Sequence, residues 1–326
     1  MRALVTGGHG FIGSHLVRLL LEDGVSVRCL SRREGTPPAL AGLDVDIAPG
    51  DLRRSTGLAR ALEGIDEVYH LAGLTSSLTR AAMVETNAGG TRRLMDAAIA
   101  AGLPGRFVLC SSSSVTGPVP PGAPADEETA CRPLTWYAQS KLAAEGVAAE
   151  RMDSLGITVL RPPGVYGPRD EAWLPLFSSA ARGIALLAGE PSKAYSLVYA
   201  TDLAAAFVAA ARSDATRGGT YFVAHPEIVS LDQLVSAAED AVARRTRRLQ
   251  VPESLMRLIG RVVDLGSQFT GRSSVLGSQR MKEVATGDWT CSPAAFEAAT
   301  GWRAAVGVAE GFAKTAAWYR AEGLIR

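Results

Sequence analysis

TGGHGFIG, residues 6–13, follows directly on the apolar run Ala3, Leu4, Val5 and leads into SHLVRLLLEDG. In that continuation Leu16, Leu19 and Leu20 recur at helical spacing, so the glycines lie between a strand and a helix. Glycine lets another backbone or a ligand approach closely, and a helix N-terminus attracts anions. Gly7, Gly10 and Gly13, so spaced and so flanked, predict a turn wrapped around a pyrophosphate.

Outward from this turn, strand-like runs alternate with Ala- and Leu-rich helical stretches: ALVTG, VSVRCL, DVDIAPG, EVYHLAG and RFVLCSSS. Such alternation predicts an α/β fold, a doubly wound parallel sheet with its ligand at the carboxyl ends of the strands. ITVLRPPGVYG and SLVYATDL read as further strands, the latter expected to rejoin the sheet near residues 195–200. Beyond about residue 165 the rhythm becomes irregular and more helical. The expected division is a cofactor-binding part, 1–165, and a smaller, mostly helical substrate-binding part, 166–326. Five prolines between Pro118 and Pro133 predict a long ordered loop.

The composition narrows the function classes. A chain of 326 residues with 47% hydrophobic content buries a large core, and a net charge of +1 argues against nucleic-acid or anionic-membrane partners. Cys29, Cys110, Cys131 and Cys291 are far apart with no histidine cluster beside them, which predicts neither a zinc site nor a disulfide scaffold. No run of about 18 uncharged apolar residues appears, so no membrane segment is expected. The N-terminus enters the first strand at once, with no signal peptide in view; a soluble cytoplasmic protein acting on a small molecule is the expectation.

The chemistry concentrates in YAQSK, residues 137–141. On a helix, positions i and i+4 share a face, so Tyr137 and Lys141 reach one ligand together. An ammonium near a phenol favours the phenolate and makes proton exchange easier. Upstream, CSSSSVTG ends an apolar strand, where a serine hydroxyl could hold a substrate oxygen or simply close a turn.

With these residues in view the sequence resembles the extended short-chain dehydrogenases/reductases, the NAD-dependent epimerase/dehydratase family, over nearly its whole length. TGGHGFIG matches TGxxGxxG, Asp51-Leu52 the Asp-Leu at the adenine, HLAG the strand passing the nicotinamide ribose, and NAGGT the NxxGT segment. YAQSK matches YxxxK, RPPGVYGP matches RPxxVYGP, and VYATDLA matches VxxxDLA. The resemblance implies a Rossmann-type scaffold with Tyr137 as general acid/base, Lys141 on the nicotinamide ribose, and Ser112 beside the reacting oxygen. Ser111 and Ser113 are alternatives in register. It implies a cofactor held by Gly7, Gly10, Phe11, Ile12, Gly13, Asp51, Leu52, Leu71, Ala72, Gly73, Pro163 and Val165 together with Tyr137 and Lys141. Thr75, Ser113, Gly164, Trp173 and Tyr195 are implied on the substrate side. Homodimers built on helices near 80–101 and 135–152 are common in the family. His9 and His70 are assigned to cofactor architecture rather than catalysis.

Departures from the family pattern point further. Dehydratases carry Thr-Asp-Glu where this chain has serines followed by Val115 and Thr116, so dehydration is not expected. Nucleotide-sugar epimerases usually have Asn at the position of Gly164 and Arg at that of Tyr195; Arg169 or Arg182 could replace them as phosphate ligands. Pro162-Pro163 resembles the branch of 3β-hydroxysteroid dehydrogenases and dihydroflavonol-type reductases. Trp173, Leu174, Leu176 and Phe177 suit a segment covering an apolar substrate, and an apolar stripe from Pro252 through Leu255, Leu258, Ile259, Val262 and Val263 suits a core, a lid over an apolar pocket or a shallow membrane contact, with Arg257 and Arg261 on the opposite face. Ser31, Arg32 and Arg33 stand where NAD-preferring proteins place an acid, which predicts NADP(H), with Arg32 as the 2′-phosphate ligand and NAD as the alternative cofactor. The expected activity is hydride transfer between a nicotinamide cofactor and a hydrophobic ketone or secondary alcohol. A nucleotide-sugar epimerase and a non-catalytic NADP-binding regulator are the alternatives.

Overall fold

A computed structural model describes residues 1–32, 35–251, 254–255, 258, 260–263, 266, 279 and 286–325. The chain opens as β1 (Arg2–Thr6), α1 (Phe11–Glu22), β2 (Ser26–Ser31), β3 (Val45–Pro49), α2 (Leu58–Leu62) and β4 (Glu67–His70). There follow α3 (Arg80–Val84), α4 (Gly90–Ala100), β5 (Arg106–Cys110), α5 (Trp136–Ala149), β6 (Gly156–Arg161), β7 (Gly164–Tyr166) and α6 (Leu174–Ala181). The remainder is β8 (Ile184–Ala188), β9 (Ala194–Tyr199), α7 (Ala200–Arg212), β10 (Thr220–Phe222), β11 (Ile228–Ser230), α8 (Leu231–Val242), β12 (Arg247–Val251), α9 (Ala294–Thr300) and α10 (Val308–Ala321).

The main sheet has seven parallel strands in the order β10-β6-β5-β4-β1-β2-β3. Alternate side chains of a strand face opposite ways, and β1 shows the result. Ala3 and Val5 pack with α1 and α7 on one face; Leu4 packs with α2, α4 and α5 on the other. The strand order reverses beside β1, so the crevice beyond its carboxyl end opens at the glycine turn.

The run ITVLRPPGVYG divides at Pro162-Pro163. Proline lacks the N–H that a sheet ladder requires, so β6 stops at Arg161 and β7 leaves for a second, three-stranded sheet, β11-β9-β7. The strand expected to rejoin the main sheet near 195–200 is corrected here. β9 follows β7 in parallel pairing, and β10 is the strand that returns, beside β6. A third pair, β12-β8, completes the sheets. The second layer is centred on α10, where Phe312 lies 5.2 Å from the Tyr166 ring and 5.0 Å from that of Phe177.

Between α3 and α4 the helix widens into one π turn, Glu85–Gly89, in which the Gly90 amide reaches back to the Glu85 carbonyl. The Pro-rich loop is ordered by the segment beyond residue 287: Val119 N donates to Asp288 O at 2.9 Å and Ala125 N to Thr290 O at 2.9 Å. Among the described residues no helix is long and apolar enough to cross a membrane, and no group of His, Cys, Asp or Glu is placed to hold a metal ion.

Candidate active site

The glycine turn is dictated by contact. Gly7 has φ +74°, and a Cβ there would stand 2.8 Å from Ala72 N; a Cβ on Gly13 would stand 2.2 Å from the Gly7 carbonyl oxygen. Gly10 is the N-cap of α1, and no side chain caps this helix. The first-turn amides of Phe11, Ile12 and Gly13 therefore face the crevice with the positive end of the helix dipole behind them. A bare backbone turn, packed too tightly for a Cβ at Gly7 or Gly13 and presenting free helix amides, fits the pyrophosphate of a dinucleotide.

Next to it, the end of β4 is fixed by a buried hydrogen-bond chain. Ala72 N donates to Thr6 Oγ1 at 3.2 Å, and Thr6 Oγ1 lies 2.6 Å from His70 Nδ1. His70 Nε2 lies 2.9 Å from Thr91 Oγ1, which donates to the Asn87 carbonyl at 2.6 Å. Because the Thr91 proton is used on Asn87, His70 carries its own proton on Nε2 and accepts at Nδ1. Leu71, Ala72 and Gly73 thus follow a rigid strand end. Burial, with a smaller contribution from the Lys141 charge, pushes the His70 pKa from 6.5 to about 3. The unfolded chain accepts that proton near 6.5, so this stability is complete above pH 6.5 and is lost progressively as pH falls toward 3. The expected loss from this residue is about 1.4 kcal/mol for each pH unit below its unfolded value. Denaturant unfolding at pH 7.5, 6 and 5 measures it, and a His70→Gln variant with an equally steep slope would contradict it.

The Tyr137–Lys141 face is set by α5. Thr135 caps the helix by accepting from Ala138 N at 3.2 Å, which starts it two residues before Tyr137. Lys141 is buried; its Nζ donates to Cys110 O at 2.8 Å and stands 5.8 Å from the centroid of the Tyr137 ring. Burial pulls the Lys141 pKa down, opposed by Cys110 and Glu145. A Cβ on Gly73 would lie 3.4 Å from that Nζ, so the HLAG strand end and the lysine share one wall.

The serines of the run are placed differently. Ser111 donates to buried Glu145 at 2.5 Å. Ser112 Oγ accepts from Ser114 N at 3.2 Å and from Ser114 Oγ at 2.9 Å, and Ser113 N donates to Pro162 O. The sequence assigns Asn87 nothing beyond its place in NAGGT. Its side chain accepts from Leu74 N at 2.7 Å and donates to Leu74 O and to Ser140 Oγ, which in turn donates to the Tyr137 carbonyl. This buried amide ties the loop before exposed Thr75 to the tyrosine helix; its match to NxxGT is the available signal.

At the other end of the crevice, Gly50 N donates to Ser31 O, joining the end of β2 to Asp51-Leu52. Arg53 holds the Asp51 carboxylate at 2.8 Å and keeps its pKa at about 2, with a smaller contribution from the charge of Arg32. Arg32 is exposed; Arg33 lies outside the described residues.

On the substrate side, a Cβ at Gly164 would meet Leu197 Cδ2 at 2.7 Å and Trp173 at 3.5 Å. Trp173 is half-buried and donates from its indole to the Val165 carbonyl at 3.0 Å. Phe177 does not face a pocket: it is fully buried against Phe312 and Tyr319. Half-buried Tyr195 bridges to Trp289, with Lys193 Nζ 5.5 Å from its ring. Arg169 takes φ +73° and donates to Ser14 Oγ at 3.1 Å, toward α1. Arg182 closes the C-terminus of α6. Leu255, Leu258 and Val262 of the apolar stripe are exposed; Pro252, Arg257 and Ile259 lie outside the described residues.

Comparison with known proteins places the chain in a family. Residues 3–224 match the model of the NAD dependent epimerase/dehydratase family. The chain is similar to a ceramide reductase of Caulobacter vibrioides, 32% identical over 98% of this chain and 94% of the relative. It is also similar to a 3 beta-hydroxysteroid dehydrogenase/Delta 5-->4-isomerase of Mycobacterium tuberculosis, 30% identical over 79% and 74% of the two chains. Among solved structures, the UDP-glucose 4-epimerase of Thermus thermophilus in complex with NAD superposes with a TM-score of 0.78, at 26% identity over 98% of this chain and 99% of that one. The chain belongs to the NAD dependent epimerase/dehydratase family.

Proposed function

We propose that this protein is an NADP(H)-dependent oxidoreductase acting on a hydrophobic ketone or secondary alcohol. The carrying observation is that no charged or amide side chain stands at Gly164 or Tyr195, and that Gly164 has as neighbours the apolar Leu197, its cross-strand partner, and half-buried Trp173. A sugar diphosphate left there without charged or amide partners would lose several kcal/mol, whereas apolar contact gains about 25 cal/mol for each Å² buried. The relatives named as a ceramide reductase and a steroid dehydrogenase support the same class.

The cradle of Gly7, Gly10 and Gly13 and the first turn of α1 would hold the pyrophosphate, and Asp51 and Leu52 the adenine end. The cofactor, when bound, supplies or accepts the hydride. Tyr137 exchanges a proton with the substrate oxygen, Lys141 binds the ribose and favours the phenolate, and Ser112 holds the same oxygen. Residues 1–165 supply the cofactor part in this reading, with α7, β10 and α9 packed on the same sheet, and the other later segments chiefly cover the substrate. Incubation with NADPH and a panel of lipid-like, aromatic and steroid-like ketones tests the reading: consumption of NADPH is expected. Epimerised UDP-glucose with no net NADPH consumption would overturn it.

Arg32 is the proposed ligand of the 2′-phosphate. Asp51 nearby would repel that phosphate, but Arg53 already neutralises it, leaving Arg32 as the outward charge at the end of β2. Charge-assisted hydrogen bonds contribute about 1.5–3 kcal/mol, so NADPH is expected to bind at least about 10-fold more tightly than NADH, and Arg32→Ala to erase most of the difference. Fluorescence titration with both cofactors measures this; equal affinities in the unmodified protein would refute it.

A further inference from the structure

Three motif segments meet on one buried carboxylate. Glu145 lies four residues beyond Lys141 and eight beyond Tyr137 on α5, so all three project from one face. Arg161, the last residue of β6, donates to it through Nε at 2.9 Å and Nη2 at 2.7 Å, and Ser111 donates at 2.5 Å. Both members of the ion pair are buried. Ser111 precedes Ser112, and Arg161 precedes Pro162, whose carbonyl accepts from Ser113 N at 2.9 Å. Apolar side chains could join β6 to α5 as well as an ion pair does. Only a carboxylate also takes the Ser111 hydroxyl and sets a negative charge one turn from Lys141.

We propose that Glu145 is the positioning residue of this site: it fixes the serine run against the tyrosine helix and keeps the Lys141 ammonium charged. Around Lys141 stand the Cys110 thiol from β5, His70 from β4, the Tyr137 phenol and Glu145. Burial keeps Cys110 and His70 neutral, which leaves Glu145 as the counter-charge among these groups. Arg161 and Ser111 face Glu145 itself, and Cys131 accepts from Arg161 at 3.4 Å. The inference deepens the oxidoreductase reading and depends on it for the turnover measurement alone.

Glu145→Gln by itself would strand the Arg161 charge in the interior, so the informative variant is Glu145→Gln with Arg161→Gln, which removes both charges and leaves two amides to bond. Ser111→Ala cuts a single arm. The readouts are thermal melting, NADPH affinity, kcat and KM on a reduced ketone, and the Tyr137 pKa from absorbance at 295 nm relative to Tyr137→Phe. The double variant is expected to melt cooperatively, bind NADPH within about threefold of the unmodified protein, and lose about 10-fold or more in kcat with little change in KM. Its Tyr137 pKa is expected to rise, because a Lys141 without its counter-charge holds its proton less firmly and favours the phenolate less. Glu145 itself is two helical turns, about 12 Å, from Tyr137, too far for its own field to dominate. Unchanged kcat and an unchanged Tyr137 pKa in the folded double variant would overturn the proposal. Should that variant not fold, undiminished kcat in Ser111→Ala would overturn it. If the unmodified protein reduces no ketone, the oxidoreductase reading fails, and the Tyr137 titration alone decides the role of Glu145.

Discussion

Replacing Tyr137 by phenylalanine is expected to lower turnover by about 100-fold or more while NADPH affinity stays within a few-fold, because general acid/base catalysis contributes roughly that factor. The change removes one oxygen and leaves the ring, so the contact with Lys141, 5.8 Å from the ring centroid, keeps its shape. The backbone is held independently: the Tyr137 carbonyl accepts from Ser140, and Thr135 caps the helix. Loss of rate without loss of fold is therefore the expected pattern. Steady-state kinetics with matched cofactor titrations measures it, and a variant within a few-fold of the unmodified rate would move the proton to Ser112 or to water.

Gly13→Ala is expected to weaken cofactor binding by about 10-fold or more, since the turn that would hold the pyrophosphate must open to take the new methyl, at a cost of about 1–3 kcal/mol. Alanine improves helix propensity by about 1 kcal/mol, which would stabilise α1 if space allowed. Here the new methyl would lie 2.2 Å from the Gly7 carbonyl oxygen, itself the acceptor for Gly10 N at 2.9 Å. The obstacle is backbone, which cannot swing aside as a side-chain end does, and overpacking of this kind costs about 1–3 kcal/mol. Sterics outweigh propensity, and the turn must open. Isothermal titration with NADPH, paired with a melting curve, separates lost binding from lost fold; unimpaired affinity would show that the turn is not the pyrophosphate cradle.

Periodicity reveals the main sheet because its central strands, β5 and β6, are buried throughout and read as continuous apolar runs. It fails where a strand owes its existence to a partner. β10 is three residues long and carries little local signal, and β8, though an apolar run, pairs among the described residues with distant β12, a partner no local pattern reveals. The destination of β9 depends on β7, which leaves the sheet at two prolines whose presence is legible but whose consequence is not. At the site, motif spacing brings out Tyr137, Lys141 and the glycines. The partners that hold them, Glu145 with Arg161 and Asn87 with Leu74, are tertiary pairings across many residues, and no single segment announces them. Phe177 is misplaced by the sequence because a buried aromatic and a pocket aromatic look alike there.

The π turn at Glu85–Gly89 has a genealogical side. Such a turn holds one residue more than the α-helical turn it replaces. Deleting Ala88 would let a regular helix run on from Arg80 to Ala100 with the segments on either side keeping their faces, because the wide turn already absorbs the extra residue. The change would be confined to the turn itself, where Asn87 reaches Leu74 and Ser140 while Thr91, four residues on, meets His70. A single codon, lost or gained inside the NAGGT segment, is thus enough to change how Asn87 steadies the tyrosine helix while the helix on either side stays in place.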